Sequence, residues 1–187
     1  VRGVVINEIH YNSAVNTTRN SFIELYNDGP ATVSLAGWRL SGGVDYLFPA
    51  GTAMAPDSYL VIAEDPATML SYFGKPALGP WDNAVITYPD GSKEVTGLSN
   101  DGDTVRLRDA ANQVVSEVDY ENHSPWPSEG NGEGSSIELI NPGLDGTHGS
   151  NWRAAKSAGV APDVTFVSPA TSGWKYFKGS VAPSATW

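Results

Sequence analysis

The sequence predicts an all-β protein, built as an antiparallel sandwich or barrel. Three observations lead there. About nine short runs rich in β-branched and aromatic residues recur, with turn signals roughly every ten residues. The 187 residues include 20 glycines and 13 prolines, about 18% against a usual value near 12%, so the chain turns often. No G-x-G-x-x-G occurs and strands do not alternate with helices, which argues against a parallel nucleotide-binding sheet.

Val4-Val5-Ile6-Asn7-Glu8-Ile9 opens the chain as a strand, and the polar residues 12–20 form a loop. Phe22-Ile23-Glu24-Leu25-Tyr26 is the second strand, ended by the turn chemistry of Asn27-Asp28-Gly29-Pro30. Val33 and Leu35 alternate with polar neighbours, and Trp38 and Leu40 share a face, which assigns Trp38 to the core. A short strand follows at 46–49. Tyr59-Leu60-Val61-Ile62-Ala63 is the most apolar run and is expected at the centre of a sheet, with Val61 facing the core. A single short helix is expected next: Asp65 suits the N-cap and Pro66 the first helical position, Met69, Leu70 and Phe73 follow at i, i+1 and i+4, and Gly74 suits the end. Asn100-Asp101-Gly102-Asp103 reads as a hairpin turn joining 95–98 to 104–108. Residues 114–120 alternate again, and Ser136-Ile137-Glu138-Leu139-Ile140 is the last clear strand. The segments Ile23-Glu24-Leu25-Tyr26-Asn27 and Ile137-Glu138-Leu139-Ile140-Asn141 share a pattern, which predicts two strands in similar surroundings rather than a repeat.

Charge and composition narrow the function. The net charge is −10, and an acidic body repels phosphate, so nucleic acid is not an expected partner. Of the acidic residues only Asp163 lies beyond residue 147, beside Arg153, Lys156, Lys175 and Lys178. No apolar run is long enough for a spanning helix, so no membrane insertion is expected. With no cysteine, disulfides, thiolate zinc sites and cysteine nucleophiles are ruled out. The chain starts at Val1 without Met and reads as a piece of a longer protein.

No catalytic residues stand out. His10, His123 and His148 lack paired spacing, and no G-x-S-x-G or Gly-rich phosphate loop is present. A hydrolase therefore ranks third among the functions considered. Calcium is the one metal for which ligands abound, at Asn100, Asp101 and Asp103 or at Asn7, Glu8 and Glu24. A turn explains the first set more simply, because the spacing of an EF-hand is missing. A half-buried glutamate must in any case be hydrogen-bonded, which explains the second set. Among the six tryptophans, Trp152 is expected to pack over an edge, while Trp81 and Trp126 lie in proline-rich loops and are the candidates for an exposed ligand platform.

Val5-Ile6-Asn7-Glu8-Ile9, Phe22-Ile23-Glu24-Leu25-Tyr26-Asn27 and Leu35-Ala36-Gly37-Trp38-Arg39-Leu40 form an ordered series. Phe48-Pro49-Ala50-Gly51-Thr52, Leu60-Val61-Ile62-Ala63 and Leu98-Ser99-Asn100-Asp101-Gly102-Asp103 continue it. Together they resemble the bacterial branch of the lamin tail domain. The resemblance implies an immunoglobulin-like antiparallel β-sandwich with one short helix over residues 1–153. It also implies a non-catalytic module of an extracellular or cell-surface multidomain protein, in contact with protein or cell-surface polysaccharide. A calcium-dependent carbohydrate-binding module is the alternative. Residues 154–187 are expected to be an extension or the start of a following module, lying along the sandwich or self-associating through Trp174 or Phe177.

Overall fold

A computed structural model of the chain describes residues 3–14, 19–81 and 97–155, together with the backbone of 85–87 and 93–95. The strands in chain order are β1 (Val4–His10), β2 (Phe22–Asn27), β3 (Val33–Ser34), β4 (Arg39–Gly42), β5 (Tyr46–Leu47), β6 (Ala53–Met54) and β7 (Tyr59–Ala63). Helix α1 (Pro66–Phe73) follows, then β8 (Val85–Thr87), β9 (Lys93–Val95), β10 (Gly102–Arg108), β11 (Val114–Glu121), β12 (Ile137–Leu139) and β13 (Trp152–Ala154). All of their pairings are antiparallel. One sheet has the order β13-β12-β1-β2-β7 and the other β11-β10-β4-β5, with two small ribbons, β3-β6 and β8-β9. This is an immunoglobulin-like β-sandwich, and the described residues through Ala155 belong to one compact unit, Val1–Lys156.

Alternation builds the layer between the sheets. Ile6, Ile9, Ile23, Leu25, Ile62 and Ile137 point inward from the first sheet and meet Leu40, Val105, Leu107 and Val118 of the second. Asn27, also inward, is the polar exception. Its Nδ2 donates to the carbonyls of Ala31, Met54 and Ala55 at 2.9–3.0 Å, and its Oδ1 accepts from Gly29 N at 3.0 Å. One buried amide thus ties the end of β2 to two turns and to β6.

Four expectations need correction. First, β7 lies at the edge of its sheet, not the centre. Its apolarity has another cause. The Leu78 segment covers its open edge through Ala63 N to Leu78 O (2.9 Å) and Leu78 N to Val61 O (2.8 Å), and α1 covers its outer face. Second, Val61 points outward and joins a small cluster of Phe22, Ala63 and Met69 beneath α1. Third, Trp38 is half-buried and packs against the core from its margin. Fourth, the Asn100–Asp103 turn does not close a hairpin. β9 pairs with β8, while β10 pairs with β11 and β4. The hairpin of β10 and β11 turns at Asp109, whose Oδ1 accepts from Ala111 N and Gln113 N.

The helix and its caps form as expected, but of its apolar residues only Met69 is buried, while Leu70 and Phe73 are exposed. Asp65 Oδ1 accepts from the backbone of Ala67 and Thr68 at 3.0 and 3.2 Å, and Gly74 closes the last turn in the left-handed region at φ 67°. The boundary expected after residue 153 falls inside β13, whose Ala154 pairs with Ile137. Residues 156–187, and with them the expected course and self-association of the tail, lie outside the described residues.

Candidate functional site

Five side chains on the outer face of the first sheet form a row across the strands. In order they are Arg153 on β13, Glu138 on β12, Glu8 on β1, Glu24 on β2 and Val61 on β7, each directly opposite the next. Directly opposed residues in an antiparallel pair have Cβ atoms about 4.5–5.5 Å apart, and like charges there repel. Local structure supplies each carboxylate with a partner. A bulge between Ile6 and Glu8 inserts Asn7, whose Nδ2 donates to Glu24 Oε1 at 3.0 Å. The freed Ile6 N–H donates to Ser116 Oγ of the other sheet at 3.1 Å. The Ser136 hydroxyl donates to Glu8, and Arg153 pairs with Glu138. These contacts agree with the expectation that the outer glutamates are hydrogen-bonded.

The electrostatics follow from this crowding. Burial pushes the Glu24 carboxyl up to about 7; the Asn7 hydrogen bond opposes the shift, and the charges of Glu8 and Glu138 add to it. Glu8 is also raised, by burial first, against the Ser136 hydrogen bond and with Glu138 adding.

Aromatic groups flank the row on both sides. On one side Tyr26 and Tyr59 pack with ring centroids 4.6 Å apart and planes at 30°. The Tyr26 hydroxyl donates to Asp57 Oδ1 at 3.1 Å, and Tyr59 is 60% exposed. On the other side His10, 2% exposed, stacks on Phe22 at 5.4 Å and meets the edge of Phe73 of α1 at 6.0 Å. Its Nδ1 lies 3.1 Å from the Asn20 carbonyl oxygen, and its Nε2 has no hydrogen-bond partner among the described residues. Burial lowers its pKa, and the Asn20 contact opposes the shift.

The two loop tryptophans are not on the surface. Trp81 is 2% exposed and Trp126 6%, and both belong to the main core. Trp126 packs on Trp152 with centroids 5.7 Å apart, and Trp152 Nε1 donates to the Gly146 carbonyl at 3.0 Å. Gly149 lies against the Trp126 ring so closely that a Cβ there would stand 2.8 Å from it. The flanking prolines therefore go with a loop that inserts its ring instead of displaying it, and the exposed aromatic platform expected at Trp81 and Trp126 is not formed. Among the described residues the exposed rings are Tyr59, which lies on the half-buried Tyr26, and Tyr72 and Phe73 of α1.

The candidate calcium ligands are engaged in turns. Asp101 Oδ1 accepts from Asn122 Nδ2 at 3.3 Å, Asp103 Oδ1 accepts from Thr104 N at 2.7 Å, and Asn100 is exposed. Among the described residues no group of three His, Cys, Asp or Glu side chains is placed to hold a metal ion. His10, His123 and His148 sit on separate elements: β1, the loop after β11 and the loop before β13. A crevice of about 360 Å³ at the start of β1 has Asp28 as its one titratable lining residue, so it offers no acid–base pair.

Sequence reasoning missed Glu138, Tyr26 and Tyr59 as members of one surface. The shared pattern around Glu24 and Glu138 was the available signal: those two strands flank β1 and present their glutamates to Glu8 from either side.

The sequence model of the family described as Lamin Tail Domain matches residues 1–122. It stops before β12 and β13, so Glu138 and Arg153 lie beyond the match. No curated protein matches the chain closely enough to count as a relative.

Proposed function

The chain belongs to the Lamin Tail Domain family, and on that premise we propose that it serves as an accessory contact module of a larger secreted or cell-surface protein, working through the outer face of its five-stranded sheet. The family is one of non-catalytic immunoglobulin-like domains. The observation that carries the reading is the pairing of the exposed Tyr59, seated on the half-buried Tyr26, with a row of polar side chains on one broad face. A packed sandwich holds such a face rigid, so a ligand meets it without ordering the protein first.

Amide-shift mapping tests the reading. Peptides and soluble oligosaccharides are titrated into the isotope-labelled 187-residue chain. The expected shifts cluster at Glu8, Glu24, Tyr26, Tyr59 and Glu138. Shifts confined to β10 and β11, or turnover of a chromogenic ester, phosphodiester or glycoside, overturn it.

A further inference from the structure

We infer that the outer face takes an extended polypeptide segment bearing two lysines or arginines about three residues apart, seated on the Tyr26–Tyr59 pair with its cations over the glutamate row. The inference rests on the contact-module reading above and names its partner.

The tyrosines supply the seat. Tyr59 is 60% exposed and lies on Tyr26, whose ring is fixed by the hydrogen bond to Asp57. A tyrosine face attracts cations through its quadrupole and also covers apolar side-chain stems.

Charge selects the occupant. The row holds three carboxylates and one cation, Arg153, which stands at the far end on Glu138. Glu24 is the carboxylate beside the tyrosines, two residues from Tyr26 on the same face of β2. Its partner is the neutral amide of Asn7. A cation arriving here meets two opposed carboxylates and an aromatic face together. An anionic partner meets a chain of net charge −10. A neutral sugar can stack on the rings but does nothing for the repulsion between Glu8 and Glu24.

Distance sets the spacing. Glu24 and Glu138 are two strand intervals apart, about 10 Å at the usual inter-strand distance. A segment in the extended polyproline II form, with three residues per turn and about 3.1 Å of rise each, spans roughly 9 Å in three residues and returns to the same face, so cations three apart both meet the row.

The test uses the whole chain and a capped peptide, Ser-Lys-Gly-Tyr-Lys-Ser, with a glutamate-for-lysine version as control. Amide shifts are followed at low salt and again at roughly 0.3 M salt, where the Debye length is well below 10 Å. The lysine peptide should shift Glu8, Glu24, Tyr26 and Tyr59, bind at least tenfold more weakly at high salt, and lose at least tenfold with the pair Glu8→Gln and Glu24→Gln. Tyr59→Ala should weaken it several-fold. The glutamine pair removes opposed like charges, so its melting temperature should be unchanged or higher, which separates lost binding from lost folding. Undiminished binding to the glutamine pair overturns the inference. So does a neutral β-linked hexasaccharide that shifts the same amides when the lysine peptide does not; in that case the contact-face reading survives. If neither ligand shifts the outer-face amides, both readings fall.

Discussion

On β1 and β2 the inward side chains Ile6, Ile9, Ile23 and Leu25 are apolar and fully buried, while their outward neighbours Asn7, Glu8, Glu24 and Tyr26 are polar and half-buried. The same strands therefore carry two kinds of stabilisation. The inner layer is held by area removed from water, which depends on fit and hardly on pH. The outer layer is held by individual hydrogen bonds among groups that repel one another, so it contributes little per contact and responds to protons and salt. A face built this way is also left with interactions that a partner can satisfy.

Truncation should expose the difference most strongly. Leu25→Ala opens a cavity in the inner layer and should cost about 3 kcal/mol. Glu24→Ala, one residue away, should leave stability unchanged or raise it. Urea unfolding with an unchanged denaturant slope checks both, and equal losses would erase the distinction between the faces.

Asn27 tests the polar exception of the inner layer. Asn27→Ala leaves the carbonyls of Ala31, Met54 and Ala55 without their donor and should cost about 2 kcal/mol. A loss below roughly 0.5 kcal/mol would mean that water replaces the amide at no cost.

Acidity comes next in size. Glu24 binds its proton more tightly in the folded chain, so its stabilising contribution is full below its usual value near 4.5 and is lost as pH rises through about 7. Glu8 acts in the same direction. His10 acts in the opposite one: its pKa is lowered by burial, so its contribution is full above about 6.5 and falls as the pH drops below that. Melting followed from pH 5 to 8 should show Glu24→Gln losing the decline toward alkaline pH. His10→Phe should lose the opposing acid-side decline, which needs its own ring to take a proton. Identical pH profiles for wild type and Glu24→Gln would remove the outer row from the pH response.

The smallest effect belongs to Arg153. Its side chain is 62% exposed in its pair with Glu138, so Arg153→Ala should cost under about 1 kcal/mol. The difference should vanish near 1 M salt. A larger, salt-insensitive loss would make this pair part of the packed structure.

Much of the local structure was legible in the residues themselves. Asp65, Pro66 and Gly74 specify the helix through hydrogen bonds and dihedral limits that act within a few positions, and the alternation on β1, β2, β10 and β11 reflects a period-two backbone. Which strands become neighbours is a different matter. Alternation says that Glu8, Glu24 and Glu138 each face outward, but only the order β12-β1-β2 sets them side by side, and that order follows from packing between residues more than a hundred positions apart. The same reason explains β7 at an edge made apolar by the Leu78 segment, and Trp81 and Trp126 drawn out of polar loops into the core. Short-range sterics were enough to specify α1 and the alternating faces of β1, β2, β10 and β11, but not the outward turn of Val61, the marginal place of Trp38 or the partner of β10. The tertiary structure decided the neighbours, and with them the row of carboxylates and the stacking of the exposed Tyr59 on Tyr26, because burial of a shared core is a property of the whole chain.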